Sequence, residues 1–169
     1  NTKISHAIAM HGEPKYNEDF ISVEYVSNSA EKGGNIVRGA FGSYDSFHPF
    51  ILKGTSAAGI MSIYDTLTTR SYDEAFTEYG LLAEKIEWPE DRSWVKFTIR
   101  DEAEWHDGKT ITSDDVVWTF NTLMEKGNPG YKYYYADVKN VIKIFKKKIK
   151  FEFNNNTNKE LVLIVGQLQ

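Results

Sequence analysis

The chain has 169 residues, 41% of them hydrophobic and 14% aromatic, with a formal charge of -4 at neutral pH and no cysteine. That length suits one ordinary domain or a large piece of a bigger one, able to bury roughly 70% of its unfolded surface, and the apolar content argues against a disordered chain. The mild acidity supplies no basic face for nucleic acid, the missing thiols exclude a disulfide framework, thiolate metal sites and cysteine catalysis, and no apolar run reaches the ~18 residues of a membrane helix.

In chain order, residues 1–32 are polar, with Gly12, Pro14 and Asn17 as breakers, and read as an irregular arm. Gly33-Gly34 leads into an expected strand over Asn35-Ile-Val-Arg-Gly-Ala-Phe41, which Gly42-Ser43-Tyr44-Asp45-Ser46 leaves as a loop. Thr55 or Ser56 can cap a helix running through Thr66, with Ile60, Ile63, Tyr64 and Leu67 on one face. Leu81 to Trp88 reads as a strand, and Pro89-Glu-Asp91 as a turn-rich link.

The stretch from Ser93 to Lys126 carries the most information. Val95, Phe97 and Ile99 alternate with Lys96, Thr98 and Arg100, the period of a half-buried strand. Asp107-Gly108 is a turn dipeptide, because glycine accepts a positive φ that other residues resist. Thr112-Ser113-Asp114-Asp115 opens a helix, with a hydroxyl for the free N–H groups and acids at the positive end of the dipole. Val116, Val117, Phe120, Leu123 and Met124 form its apolar face, and Gly127 and Pro129 stop it. Asn128-Pro129-Gly130 reads as a loop, Val138 to Phe145 and Ile149 to Phe153 as two strands, and residues 154–158 as a polar loop. The apolar run Leu161-Val-Leu-Ile-Val165 needs partners to cover it and is expected to favour self-association. This order implies an α/β or α+β fold, a mixed sheet with helices.

The ionisable clusters read as structural. Asp45, Ser46 and His48 have the residue types of a hydrolytic triad, but a triad is defined by convergence in space and no G-x-S-x-G elbow is present. Glu104, His106 and Asp107 lack the ligand spacing of a metal site and read as a turn before the helix. His6 and His11 specify no site either. No cofactor or metal is expected. Lysines 139, 143, 146, 147, 148 and 150 read as a solvated strand face guarded against edge pairing rather than an anion site. Tyr131, Tyr133, Tyr134 and Tyr135 cannot all share one strand face, so they either pack with their hydroxyls at the surface or meet a ligand.

The order SWVKFTIRDEAEWHDGKTITSDDVVWTFNTLMEK resembles the signature of the bacterial extracellular solute-binding proteins of family five, the receptors of peptide, dipeptide and nickel ABC importers. The segments His6 to Phe20, Glu31 to Gly54, Ile63 to Glu84 and Tyr133 to Val141 are similar to its YejA-type peptide-binding branch. The resemblance implies a partial first lobe of a type II, cluster C-like periplasmic binding protein. Members of the family are several times longer, which implies an N-terminal fragment: an arm over 1–32 and an incomplete first lobe over 33–169, without the second lobe. It further implies a non-enzymatic, periplasmic protein whose export signal has been removed. Its partners would be an oligopeptide and the importer's membrane subunits, with no nucleic acid and no membrane insertion. Ligand contacts are expected from Gly42, Ser43, Tyr44, Asp45, Ser46 and Phe47, whose backbone would line a cleft, and from Tyr133, Tyr134 and Tyr135, with Tyr134 facing it. A remnant or interaction module that has lost ligand binding is the alternative, and a hydrolase the rival from another class.

Overall fold

The computed structural model describes residues 1–50, 52–155 and 157–168. Ile51, Asn156 in the expected polar loop, and Gln169 lie outside the described residues. The described residues form eight strands: β1 Thr2–Ser5, β2 Ala7–Ala9, β3 Thr68–Arg70, β4 Thr77–Gly80, β5 Ala83–Pro89, β6 Trp94–Ile99, β7 Val138–Phe145 and β8 Lys148–Phe153. Helices are α1 Ser113–Lys126, α2 Pro129–Tyr134 and α3 Leu161–Ile164. Strands β1-β5-β6-β8-β7 form one sheet and β2-β4-β3 a second. Every pairing between these strands is antiparallel, the α+β form of the expected fold class.

The large sheet has one apolar and one charged face, as the alternation of β6 and β8 requires. Val95 lies opposite Phe151 and Phe97 opposite Ile149, all with no exposed surface. Each such side chain contributes roughly 1.5–3 kcal/mol by leaving water. α1 covers this face: the Phe120 ring meets Phe151 edge-on at 5.9 Å and Tyr135 at 5.8 Å. The helix begins where the sequence places it. Thr112 and Asp115 form a reciprocal capping box, and Lys126 is its last residue. Gly108, at φ 79°, makes the turn that precedes it.

On the outer face Glu87 lies 3.0 Å from Lys96 and 2.9 Å from Lys148, and Lys150 pairs with Glu152 at 2.6 Å. Burial alone would raise the Glu87 carboxyl, but Lys148 and Lys96 outweigh it and hold it below the usual range. Lys143 pairs with Asp114, and Lys147 donates to the Arg100 carbonyl. Four of the hairpin lysines are therefore engaged within the fold.

Several expectations change. The arm is not irregular at its start: β1 and β2 each add a strand to a different sheet. Farther on it is strapped to the small sheet. The Tyr16 hydroxyl donates to Asp73 at 2.5 Å, Lys15 donates to Asp73 and Glu24 at 2.7 Å each, and His6 shares a 2.9 Å hydrogen bond with the Tyr16 carbonyl. Residues 35–41 are exposed and join neither sheet among the described residues. The helix expected over 55–66 shrinks to one 3-10 turn, Ile60–Ile63. Its first residues are used elsewhere: the Thr55 carbonyl accepts from the Asp45 and Ser46 N–H groups, and the Ala57 N–H donates to the Ser46 carbonyl. Asn128-Pro129-Gly130 is the start of α2, with the Asn128 side chain capping Gly130 at 2.9 Å.

The apolar run near the end is also not a surface. Leu161, Val162 and Val165 are each at most 1% exposed and belong to the main core. The 3-10 turn Val165–Gln167 that follows α3 sits against β3, so close that a Cβ on Gly166 would lie 2.3 Å from the Thr68 hydroxyl. The expected self-association through this run therefore loses its basis.

Candidate functional site

The loop after residue 41 begins at Gly42, whose φ of 104° only glycine adopts readily. Gly42, Ser43, Tyr44, Asp45 and Phe47 are exposed and Ser46 is half-buried. The backbone groups of Gly42, Ser43 and Tyr44 pair with nothing among the described residues, so they are open to an extended ligand. Downstream the loop is fixed: the Asp45 carboxylate accepts from the Thr55 N–H at 2.7 Å, and the Tyr44 and Phe47 rings lie 5.2 Å apart.

The triad types do not assemble here. The Ser46 hydroxyl accepts from the His48 N–H at 2.9 Å, and the His48 ring accepts from the Phe50 N–H at 3.2 Å. Among the described residues no hydrogen bond joins the side chains of Asp45, Ser46 and His48 to one another, so the base is not oriented toward the nucleophile.

The tyrosines divide by depth. Tyr133 is 88% exposed and Tyr134 51%, whereas Tyr135 is 6% exposed and packs on Phe120. Burial pushes the Tyr135 phenol up, with Tyr134 and Tyr131 adding to the shift. Tyr135 is thus a core residue that anchors α2 while Tyr133 and Tyr134 face solvent. No hydrogen bond or ring contact joins this segment to the Gly42–Phe47 loop among the described residues.

Sequence reasoning missed a cleft of about 530 Å³. Val116, Trp118, Thr119 and Leu123 of α1 form one wall, the turn at Trp105 and His106 another, and Phe50 and Tyr64 a third. None of the nine expected ligand residues lines it. The turn is closed by two backbone hydrogen bonds: the Trp105 N–H donates to the Lys109 carbonyl at 2.7 Å, and the Gly108 N–H to the Trp105 carbonyl at 2.8 Å. Among the described residues no group of three or more His, Cys, Asp or Glu is placed to hold a metal ion.

The comparisons fit this architecture. The family model for bacterial extracellular solute-binding proteins, family 5 Middle, matches residues 77–168, from β4 to the chain's last turn. The chain belongs to this family. Within it the chain is YejA-like. It is 42% identical over 169 residues to the peptidoglycan-binding protein YepA of Agrobacterium fabrum, covering 95% of this chain and 28% of YepA. It is 41% identical over 133 residues to the uncharacterised YejA of Escherichia coli K12, covering 79% of this chain and 22% of YejA. The chain thus spans about a quarter of the length of these relatives. Among solved structures, NikA of Brucella suis in complex with Fe(III)-EDTA shares the fold over 64% of this chain and 22% of its own, at a TM-score of 0.55 and 15% identity. A periplasmic oligopeptide-binding protein from Thermotoga maritima, solved with mannohexaose, matches 62% of this chain and 19% of its own, at 0.50 and 25%. These solute-binding relatives therefore share with this chain a partial lobe.

Proposed function

We propose that this chain supplies part of the first lobe of a periplasmic, non-enzymatic receptor that delivers peptides to an ABC importer. The family match over residues 77–168 carries the reading. Residues 33–169 form the lobe, to which residues 1–32 add the strands β1 and β2 and a strap over the small sheet. A second lobe closes over the ligand because the ligand binds the closed state preferentially. The unpaired backbone at Gly42, Ser43 and Tyr44 offers hydrogen bonds that ignore side-chain identity, as varied peptides require. Asp45 and Ser46 hold the loop in shape, Phe47 and Tyr44 add an aromatic edge, and Tyr135 steadies the helix that presents Tyr133 and Tyr134.

The 42% identity to a peptidoglycan-binding protein favours one variant of this reading, in which the peptides are cell-wall stems bearing amino sugars. Calorimetry of this chain beside full-length YepA, with a linear oligopeptide pool and with a muramyl tripeptide, tests both. The full-length protein should bind one of them. The chain alone should bind weakly or not at all, since a pocket normally buries most of its ligand. Comparable affinity in the two samples would reject the need for closure, and failure of full-length YepA with both probes would reject the peptide reading.

A further inference from the structure

We propose that the cleft between α1 and the Trp105 turn is a binding site for an organic ammonium ion with an apolar body. It goes beyond the peptide-import reading, because none of the residues assigned to that reading lines the cleft.

Three observations converge. The first is aromatic surface. Trp105 is 40% exposed and Trp118 68% exposed, with Phe50 and Tyr64 on the facing wall. Rings left accessible around a concavity attract cations through their electron-rich faces. The second is charge. Asp65, Glu104 and Asp115 line the cleft, and none of the chain's 20 lysines and arginines does. Apart from His48 and His106, the cleft offers an anionic ligand no side chain able to carry positive charge, while three acids face it. The third is availability. Asp115 is occupied by the capping box, accepting from the Thr112 N–H and hydroxyl at 2.7 and 2.8 Å. Asp65 and Glu104 have no ion-pair or hydrogen-bond partner for their carboxylates among the described residues. They are free to meet an ammonium group while its apolar body lies against Leu67, Leu82 and Ile111. A volume of about 530 Å³ suits a small ligand rather than a folded partner.

The four tryptophans make the test internal. Trp105 and Trp118 line the cleft, whereas Trp88 and Trp94 belong to the large sheet and do not. Their indole N–H signals are followed in ¹H–¹⁵N spectra and assigned with Trp105→Phe and Trp118→Phe. Phenethylammonium should shift the Trp105 and Trp118 signals saturably and leave Trp88 and Trp94 in place. The isosteric alcohol and 3-phenylpropionate should bind at least about tenfold more weakly. The double variant Asp65→Asn with Glu104→Gln, both at exposed positions, should erase that preference with the remaining spectrum unchanged. A Phe-Gly-Gly amide separates sources of the ammonium group: binding as tight as phenethylammonium assigns the cleft to peptide amino termini, and markedly weaker binding assigns it to free amines. Equal binding of alcohol and amine, unmoved cleft signals in a well-dispersed spectrum, or an unchanged preference in the double variant would each overturn the proposal.

Discussion

Glu78 lies in the small sheet at 2% exposure, accepting hydrogen bonds from Gln167 at 2.7 Å and Thr68 at 3.1 Å, with Arg70 3.6 Å away. Burial pushes its carboxyl above the ordinary 4.5, and the hydrogen bonds and Arg70 offset only part of that. A raised carboxyl binds its proton more tightly when folded. Its contribution to stability is therefore complete below about 4.5 and is lost as pH rises through the folded value. Asp73 has the opposite sign. Hydrogen bonds from Lys15, Ser71 and Tyr16 hold its carboxyl well below 3.8, so its contribution is present above 3.8 and is lost as pH falls toward the folded value. Denaturant unfolding of the native chain, Glu78→Gln and Asp73→Asn from pH 3 to 8 should separate them. The native-minus-Glu78→Gln difference should favour the native chain increasingly as pH drops from neutrality toward 4.5. The native-minus-Asp73→Asn difference should fall only in the most acidic samples. Parallel curves for all three proteins would contradict both assignments.

At the scale of elements, what could be read in the sequence was what closes locally. The strand β6, the Gly108 turn and α1 each complete their pattern within a few residues, through alternation, a positive φ and a capping box. β5, β7 and β8 were likewise visible as short apolar-rich runs, of which β8 alternates strictly and β5 and β7 are interrupted by register shifts. Residues 35–41 and 55–66 were misread because their fate depends on distant partners: the first joins neither sheet, and residues 45 and 46 claim the second. The cleft was invisible for the same reason, since its walls come from residues near 50, 64, 105 and 118. Mutations in α1 should reflect this division. Thr112→Ala removes the cap and should cost about 1 kcal/mol. Phe120→Ala empties a site bounded by Tyr135 and Phe151 and should cost about 3–5 kcal/mol. Trp118→Ala, on the exposed side of the same helix, should stay within about 0.5 kcal/mol. Chemical denaturation measures all three, and a Trp118 effect as large as that of Phe120 would mean the helix packs by a different face.

For the whole molecule, the distribution of apolar surface decides how copies meet. The run from Leu161 to Val165 is core, joined to the small sheet through Gln167 and Glu78. One exposed apolar cluster lies at Ile36, Val37 and Phe41, on a segment whose backbone is also unpaired among the described residues. Apolar side chains beside free N–H and C=O groups are the template for strand pairing between chains. Any self-association of this chain should therefore run through residues 36–41. Val37→Ser with Phe41→Ser should lower the associated fraction in sedimentation velocity and leave the unfolding midpoint nearly unchanged, because neither residue is packed. Leu163→Ser should do the reverse. It places a hydroxyl in a site 6% exposed and removes apolar contacts, at a cost of about 2–5 kcal/mol, and association should then rise as the core opens. Association that persists in the double serine variant, with the fold intact, would place the contact elsewhere on the surface.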